Sequence, residues 1–188
     1  MDRIILASAS PRRKQLLEWA EIDFDVMVSE TDESYPADLP IEEVPVYIAR
    51  NKAIAVQQAR SEHDTILAAD TIVVLNDNII GKPVHREEAI SILLALSGEK
   101  HKVITGVVIM KGTKEIAFAD TTEVDFYDLT TEQIEFYVDK YKPYDKAGAY
   151  AIQEWIGVVG IKSVRGDFYN VMGLPVSRVV RALESINV

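Results

Sequence analysis

The sequence has no cysteine among its 188 residues, which excludes a disulfide framework and a zinc site built on thiolates. It also has no apolar run that approaches the ~20 residues needed to span a bilayer. The N-terminal residues lack the apolar centre of a signal peptide. We therefore expect a soluble protein of the cytoplasm that has no membrane partner.

Positive charge is scarce in this chain. Lysine and arginine number 20 against 30 aspartates and glutamates, and the formal net charge is -10. A negative chain repels the phosphates of duplex nucleic acid and of an anionic membrane, so neither is expected as the main partner. Small polyanions remain candidate ligands wherever the few cations are gathered locally.

Several standard catalytic signatures are also missing. The chain has no glycine-rich dinucleotide fingerprint, no Walker loop and no His-Glu-x-x-His motif. Its three histidines, His63, His85 and His101, all fall in polar connecting regions. This placement argues against a catalytic triad that depends on histidine.

The composition is that of a globular protein, with 48% hydrophobic and 27% charged residues. A long hairpin is predicted from Lys102 to Met110 and from Glu115 to Tyr127, and a further strand from Gly157 to Val164. Thr130 and Gln133 form a capping box that predicts a helix. Alternating helices and strands predict an α/β fold: a mixed sheet with flanking helices, in a single domain over residues 1–188 that has two lobes.

The N-terminal stretch resembles a phosphate-binding turn between a strand and a helix. Ile4 to Ala7 is an apolar run of strand type, Ser10 is a good N-cap, and Pro11 suits the first helical position. Such a turn directs free backbone N–H groups and the positive end of the helix dipole at one point. The additional donors are Ser8, Ser10, Arg12 and Arg13. The alternative is a capped surface helix whose cations lie in solvent and whose Leu16 and Leu17 pack in the core.

Acidic side chains supply the second set of candidates. Glu30 and Glu33 follow a predicted strand, where they are candidate ligands of a hard cation or members of a solvated turn. Asp70, followed by Thr71, interrupts the most apolar stretch of the chain. Burial of an unpaired charge costs several kcal/mol. Asp70 must therefore be paired, bound to a metal, or placed at a strand end that faces a cleft.

Three lysines complete the set. Lys52 lies beside the apolar stripe of a predicted helix, Lys82 lies in the turn Gly81-Lys82-Pro83, and Lys146 lies in a loop rich in small and charged residues. Each is either a surface cation or a phosphate contact. Phosphate clamps next to acids that hold a divalent ion or activate water are what hydrolysis of a nucleotide requires.

Six motifs in the same order resemble those of the Maf family, and together they cover nearly the whole chain. They are Leu6-Ala7-Ser8-x-Ser10-Pro11-Arg12-Arg13, Ala69-Asp70-Thr71, Gly81-Lys82-Pro83, Thr105-Gly106, Asp145-Lys146-Ala147-Gly148-Ala149-Tyr150-x-Ile152-Gln153 and Asn170-Val171-Met172-Gly173-Leu174-Pro175.

The resemblance implies a nucleoside triphosphate pyrophosphatase that cleaves between the α- and β-phosphates with a divalent cation, Mg²⁺ first and Mn²⁺ or Co²⁺ as alternatives. It also implies a fold with two lobes around a central cleft, similar to inosine-triphosphate pyrophosphatases, and a homodimer. The motif that ends in Gln153 resembles the branch acting on dTTP and UTP. A sister branch acting on 7-methyl-GTP has a glutamate there. Glu154-Trp155 departs from the glycine that many relatives have after the glutamine.

The resemblance further implies roles for individual residues. Asp70 matches the proton acceptor, and Arg12, Thr71 and Gln153 match positions that bear on substrate choice. Our hypothesis is that the donors of the N-terminal turn hold the triphosphate, while other residues assist catalysis. The lysines that neutralise the leaving pyrophosphate are Lys52, Lys82 and Lys146. The candidate metal ligands are Glu30 or Glu33, together with Asp70.

Gln153 has both a donor and an acceptor, which match the imide edge of thymine or uracil. Two other functions remain open at this point. One is a pyrophosphatase for 7-methyl-GTP or modified purine nucleotides. The other is a nucleotide-responsive binding protein that acts on septum formation, with which the family is linked by name.

Overall fold

The structure, a computed structural model, describes residues 3–61 and 63–186. Helices and strands are interspersed along this part of the chain. The strands are β1 (Ile4–Leu6), β2 (Phe24–Val26), β3 (Thr65–Leu75), β4 (Asn78–Ile80), β5 (Lys100–Lys111), β6 (Lys114–Phe126) and β7 (Ile161–Arg165). The α-helices are α1 (Pro11–Trp19), α2 (Val44–Gln57), α3 (Arg86–Leu96), α4 (Thr131–Tyr141), α5 (Trp155–Gly160), α6 (Phe168–Met172) and α7 (Val176–Ile186).

The strands are hydrogen-bonded in the order β2-β1-β3-β5-β6-β7, and β4 pairs with β3. β1 runs parallel to β2 and to β3, whereas the β3–β4 and β6–β7 pairs are antiparallel. The prediction of an α/β fold with a mixed sheet and flanking helices is therefore confirmed.

The chain divides into two compact units. Unit 1 takes the residues up to Thr71, Thr105–Asp120, and the residues from Gly173 onward. Unit 2 takes Ile72–Ile104 and Thr121–Met172. The single domain and the central cleft stay predictions.

The core of unit 1 forms where helix α2 packs on strands β1, β3 and β5. The buried side of α2 includes two small residues, Ala49 and Ala53, which are fully buried. Small side chains let the helix approach the sheet closely. A Cβ at Gly106 on β5 would lie 2.2 Å from the backbone of Pro45 and Val46, at the start of α2. This part of unit 1 therefore has no room for even one more methyl group.

Unit 2 contains a capped helix and an aromatic cluster. Thr130 and Gln133 make the predicted capping box at the start of α4. His101 is buried on β5, so its assignment to a polar connecting region is wrong. His101, Phe126 and Tyr150 pack edge to face, with ring centroids 5.0 to 5.4 Å apart. The His101 Nε2 and the phenol oxygen of Tyr150 share a hydrogen bond of 2.6 Å. Helix α3 packs against α4 in the same unit.

The predicted hairpin is confirmed by β5 and β6, but the strand predicted from Gly157 to Val164 is wrong in its first half. Residues Trp155–Gly160 form helix α5, and only then does β7 begin. Val158 and Val159 favour a strand locally, yet both lie in this helix and are exposed. The helical turn closes instead through the hydrogen bond from Gly157 N to the Glu154 carbonyl, at 2.9 Å.

None of the helices within residues 3–61 and 63–186 combines the length and the apolar character needed to cross a membrane.

Candidate active site

The N-terminal turn of unit 1 has the predicted strand–turn–helix geometry. Ser10 caps α1 by accepting a hydrogen bond from Arg13 N at 3.4 Å, and Pro11 is the first helical residue. The Ser8 hydroxyl accepts from Ser10 N at 3.2 Å. The turn is thus held by its own serines, at the end of a helix where backbone N–H groups favour an anion.

Arg13 is the residue that joins this turn to the rest of unit 1. Its Nε donates to the carbonyl oxygen of Gly173 at 2.8 Å, Nη1 donates to Ser8 Oγ at 3.1 Å, and Nη2 donates to Thr71 Oγ1 at 3.0 Å. The alternative of a surface helix with its cations in solvent is therefore wrong for Arg13, which is half-buried. Leu16 and Leu17 are buried, as that alternative expected.

Burial also shapes the electrostatics of this guanidinium. It lowers the pKa of Arg13 from its usual value, and the neighbouring Arg12 lowers this pKa further. The carboxylates of Asp70 and Glu33 act in the opposite direction and raise the same pKa. An arginine stays protonated under any such shift. The Arg13 guanidinium therefore lies within electrostatic reach of two acids, Asp70 and Glu33.

Lys52 on α2 links those two acids. Its Nζ lies 2.7 Å from Asp70 Oδ1 and 2.7 Å from Glu33 Oε1. The side chains of Lys52 and Asp70 are only 18% and 16% exposed, whereas that of Glu33 is 54% exposed. Of the interpretations left open for Asp70, the structure shows an ion pair, and Lys52 is not a plain surface lysine.

The same acids fit a divalent cation by the chemistry of their donors. Glu33 and Asp70 both place a carboxylate oxygen around one positive charge, the Lys52 ammonium. Mg²⁺ in nucleotide sites is held by one or two carboxylates together with substrate phosphates. Glu30 lies exposed three positions before Glu33. Within residues 3–61 and 63–186 no group of three or more acidic or histidine side chains is gathered so that it could hold a metal ion, so Glu30 does not join the other two.

Thr71 extends the network along β3. Its hydroxyl lies 2.9 Å from the hydroxyl of Thr105, which is fully buried on β5. Thr71 thus contacts both Arg13 and Thr105, next to Asp70 in the sequence. Thr71 and Asp70 therefore belong to one polar network of unit 1.

Unit 2 holds the remaining predicted residues. Lys82 is exposed in the turn after β4, and the Gly81 carbonyl in that turn accepts from Gly148 N at 3.2 Å. Lys146 is 9% exposed, and its Nζ lies 2.7 Å from Asp145 Oδ1 and 3.7 Å from Glu154 Oε1. Lys146 is thus a buried, paired lysine.

Gln153 is exposed. The sequence-based prediction did not assign its neighbour Glu154, or Tyr137, to the site. Glu154 accepts a hydrogen bond from the phenol of Tyr137, on α4. The departure from glycine at Glu154 was the available signal in the sequence. No signal in the sequence pointed to Tyr137, because Tyr137 and Glu154 meet only in the folded chain.

The family model described as "Maf-like protein" matches residues 3–186. The chain is 50% identical over 183 residues to a protein of Parabacteroides distasonis named dTTP/UTP pyrophosphatase, covering 97% of this chain and 95% of that protein. It is 52% identical over 183 residues to a protein of Cytophaga hutchinsonii with the same name, covering 97% of this chain and 84% of that protein.

Among solved structures, the chain is similar to the Staphylococcus aureus Ham1 protein, with 15% sequence identity and a TM-score of 0.49. The similarity covers 68% of this chain and 73% of that chain.

Proposed function

Since the chain belongs to the Maf-like family, we propose that it hydrolyses dTTP and UTP to the nucleoside monophosphate and pyrophosphate. The name of the relatives that are 50% and 52% identical over nearly the whole chain supports this substrate class. The observation that supports the chemistry is the Lys52 ammonium, which lies 2.7 Å from both Asp70 and Glu33 in the unit that also holds the Arg13 network.

In the proposed reaction, water attacks the α-phosphorus and the bond from the α-phosphorus to the bridging oxygen breaks. Asp70 accepts the proton of the attacking water, and pyrophosphate leaves with the bridging oxygen. Lys52, held by Asp70 and Glu33, orients the Asp70 carboxylate and offsets negative charge that develops on the phosphates. Arg12, Arg13 and the Ser8 and Ser10 turn bind the triphosphate.

A divalent cation, Mg²⁺ in our proposal, would be held by Glu33 and Asp70 and would supply further positive charge to the triphosphate oxygens. Lys82 and Lys146 are proposed to contact the leaving pyrophosphate, and Gln153 to recognise the imide edge of the base. We also propose a homodimer and a cytoplasmic location. Light scattering of the purified protein tests the homodimer.

The experiment is release of pyrophosphate from a panel of UTP, dTTP, CTP, GTP and 7-methyl-GTP, with and without Mg²⁺. We expect fastest release from UTP and dTTP, and loss of turnover when the metal is chelated. Faster release from 7-methyl-GTP would favour the purine alternative. Nucleotide affinity without turnover would favour the binding protein.

Two variants assign the roles. Asp70→Asn should keep the fold and lower turnover by on the order of 10²- to 10⁴-fold, the usual contribution of a general base. Asp38→Asn is the matched control, because Asp38 is exposed in a loop. Near-normal turnover of Asp70→Asn would remove Asp70 from the mechanism.

Gln153→Glu should lower turnover of dTTP and UTP without lowering the thermal midpoint, and unchanged selectivity would remove Gln153 from base recognition.

A further inference from the structure

Gln153 lies in a tight turn whose two ends are hydrogen-bonded to each other. Glu154 N donates to the Ala151 carbonyl oxygen at 3.1 Å, which closes a four-residue turn with Ile152 and Gln153 at its corners. Ile152 is buried, whereas Gln153 is exposed. The turn therefore presents the Gln153 side chain outward from a backbone anchored on both sides.

The phenol of Tyr137 binds both ends of this turn. Its oxygen accepts a hydrogen bond from Ala151 N at 3.1 Å, and its O–H donates to Glu154 Oε2. Tyr137 is fully buried on α4, a helix whose start is fixed by a capping box. One rigid side chain thus fixes the residues two before and one after Gln153.

The Glu154 side chain contacts residues outside α5. It stands at the N-cap position but makes no capping hydrogen bond. Its two oxygens are directed instead to Tyr137 and to Lys146, whose Nζ is 3.7 Å from Oε1. The carboxylate therefore connects the turn to α4 and to a buried lysine.

Helix α5, which follows the turn, is also held in place by close contacts. A Cβ at Gly157 would lie 1.7 Å from the Ile152 carbonyl oxygen, so the backbone of α5 folds directly against the turn. The Trp155 ring packs edge to face on Phe136 of α4, with centroids 4.9 Å apart. The turn is thus fixed on both sides of Gln153 by contacts with α4.

We propose that Glu154 and Tyr137 are positioning residues for base recognition by Gln153, an inference that rests on the proposed function. An amide recognises the imide edge of uracil or thymine only when its donor and acceptor meet N3–H and O4 together. Small displacements of a recognition group cost large factors in rate. Holding both ends of the turn on one phenol limits those displacements.

The test compares kcat/KM for UTP and for CTP in Tyr137→Phe, Glu154→Ala and Glu154→Gln. Tyr127→Phe and Glu184→Ala, at exposed positions, are the matched controls. For Tyr137→Phe and Glu154→Ala we expect the KM for UTP to rise and the UTP/CTP ratio to fall by about tenfold, the size of one hydrogen bond to a charged group. The kcat for UTP should change little in Tyr137→Phe, because the phenol is hydrogen-bonded to the turn. In Glu154→Ala the kcat also reports on Lys146, which loses a carboxylate partner. Glu154→Gln should keep the ratio, because its amide oxygen still accepts from the Tyr137 phenol.

The inference is overturned if Tyr137→Phe and Glu154→Ala keep the wild-type UTP/CTP ratio of kcat/KM, or if Tyr137→Phe loses kcat for both nucleotides equally. It is also overturned if the UTP/CTP ratio of kcat/KM falls as far in Glu154→Gln as in Glu154→Ala. If Tyr137→Phe does not fold, the two Glu154 variants decide the outcome. A wild-type protein without turnover of UTP or dTTP would instead contradict the proposed function, and this inference with it.

Discussion

The Lys52 ammonium lies 2.7 Å from Asp70 Oδ1, at a point of β3 where the five preceding residues are buried. The same ammonium lies 2.7 Å from Glu33 Oε1, which is in the loop after β2. One cation therefore holds two carboxylates from distant parts of the sequence. This arrangement explains how an aspartate is tolerated within the most apolar stretch of the chain.

Replacement of Lys52 by an uncharged residue should leave Asp70 and Glu33 without the ammonium that pairs with both. We expect Lys52→Met to lower kcat/KM for UTP by on the order of 10²-fold, the cost of losing one group that stabilises developing charge. Lys114→Met, at an exposed position of the hairpin, is the control. Steady-state pyrophosphate release measures both. A Lys52→Met protein with normal kcat/KM would exclude the ammonium from catalysis.

The hydroxyl of Thr71 should contribute to stability as well as to the site. Thr71→Val removes the acceptor of the Arg13 Nη2 hydrogen bond and the partner of Thr105. A half-buried donor left without its partner costs about 1–3 kcal/mol. Urea denaturation should show this loss in the free energy of unfolding. Thr71→Ser keeps the hydroxyl and should lose clearly less; equal losses would mean that the methyl group, not the hydroxyl, is responsible.

His101 should make stability depend on pH. Burial lowers its pKa to about 4, although Asp125 raises it in part. Below the ordinary pKa of about 6.5 the unfolded chain binds a proton at this histidine, whereas the folded chain does not. The stabilising contribution is therefore complete above pH ~6.5 and is lost as the pH falls towards 4, by about 3 kcal/mol.

Urea denaturation at about pH 7 and about pH 4.5 measures this loss. In His101→Gln the free energy of unfolding should fall less between the two pH values than in the wild type. His63→Gln, at an exposed position, should behave as the wild type. An identical pH dependence in His101→Gln and the wild type would show that His101 is not the cause of the loss of stability at low pH.

Two glycines form a matched pair for packing. Gly106→Ala places a methyl group 2.2 Å from the backbone of Pro45 and Val46, which cannot move aside as a flexible side chain would. We expect a loss of roughly 1–3 kcal/mol or more in the free energy of unfolding, as for overpacked cores. At Gly81 an added Cβ meets nothing within 4 Å. The thermal midpoint of Gly81→Ala should therefore match that of the wild type. Equal midpoints for the two variants would contradict the close approach of Gly106 to the backbone of Pro45 and Val46.

Local sequence was enough for those elements whose signals lie within a few residues. The capping box of Thr130 and Gln133, the N-cap Ser10 before Pro11 and the hairpin of β5 and β6 all follow from residue type and short-range hydrogen bonds. Local propensity was misleading at Val158 and Val159. Strand preference there is outweighed by the turn closure at Glu154 and by the packing of α5 on α4.

The sequence by itself determined the family through six ordered motifs, the mixed α/β fold, and the candidate residues of the site. Tertiary structure alone decided how those residues are used. It joined Arg13 to Gly173 across 160 positions and Lys52 to Asp70 across 18. Such partners are chosen by sheet order and helix packing, which bring distant segments together. No local pattern could show that Glu154 meets Tyr137, because only the folded chain brings the carboxylate to the phenol.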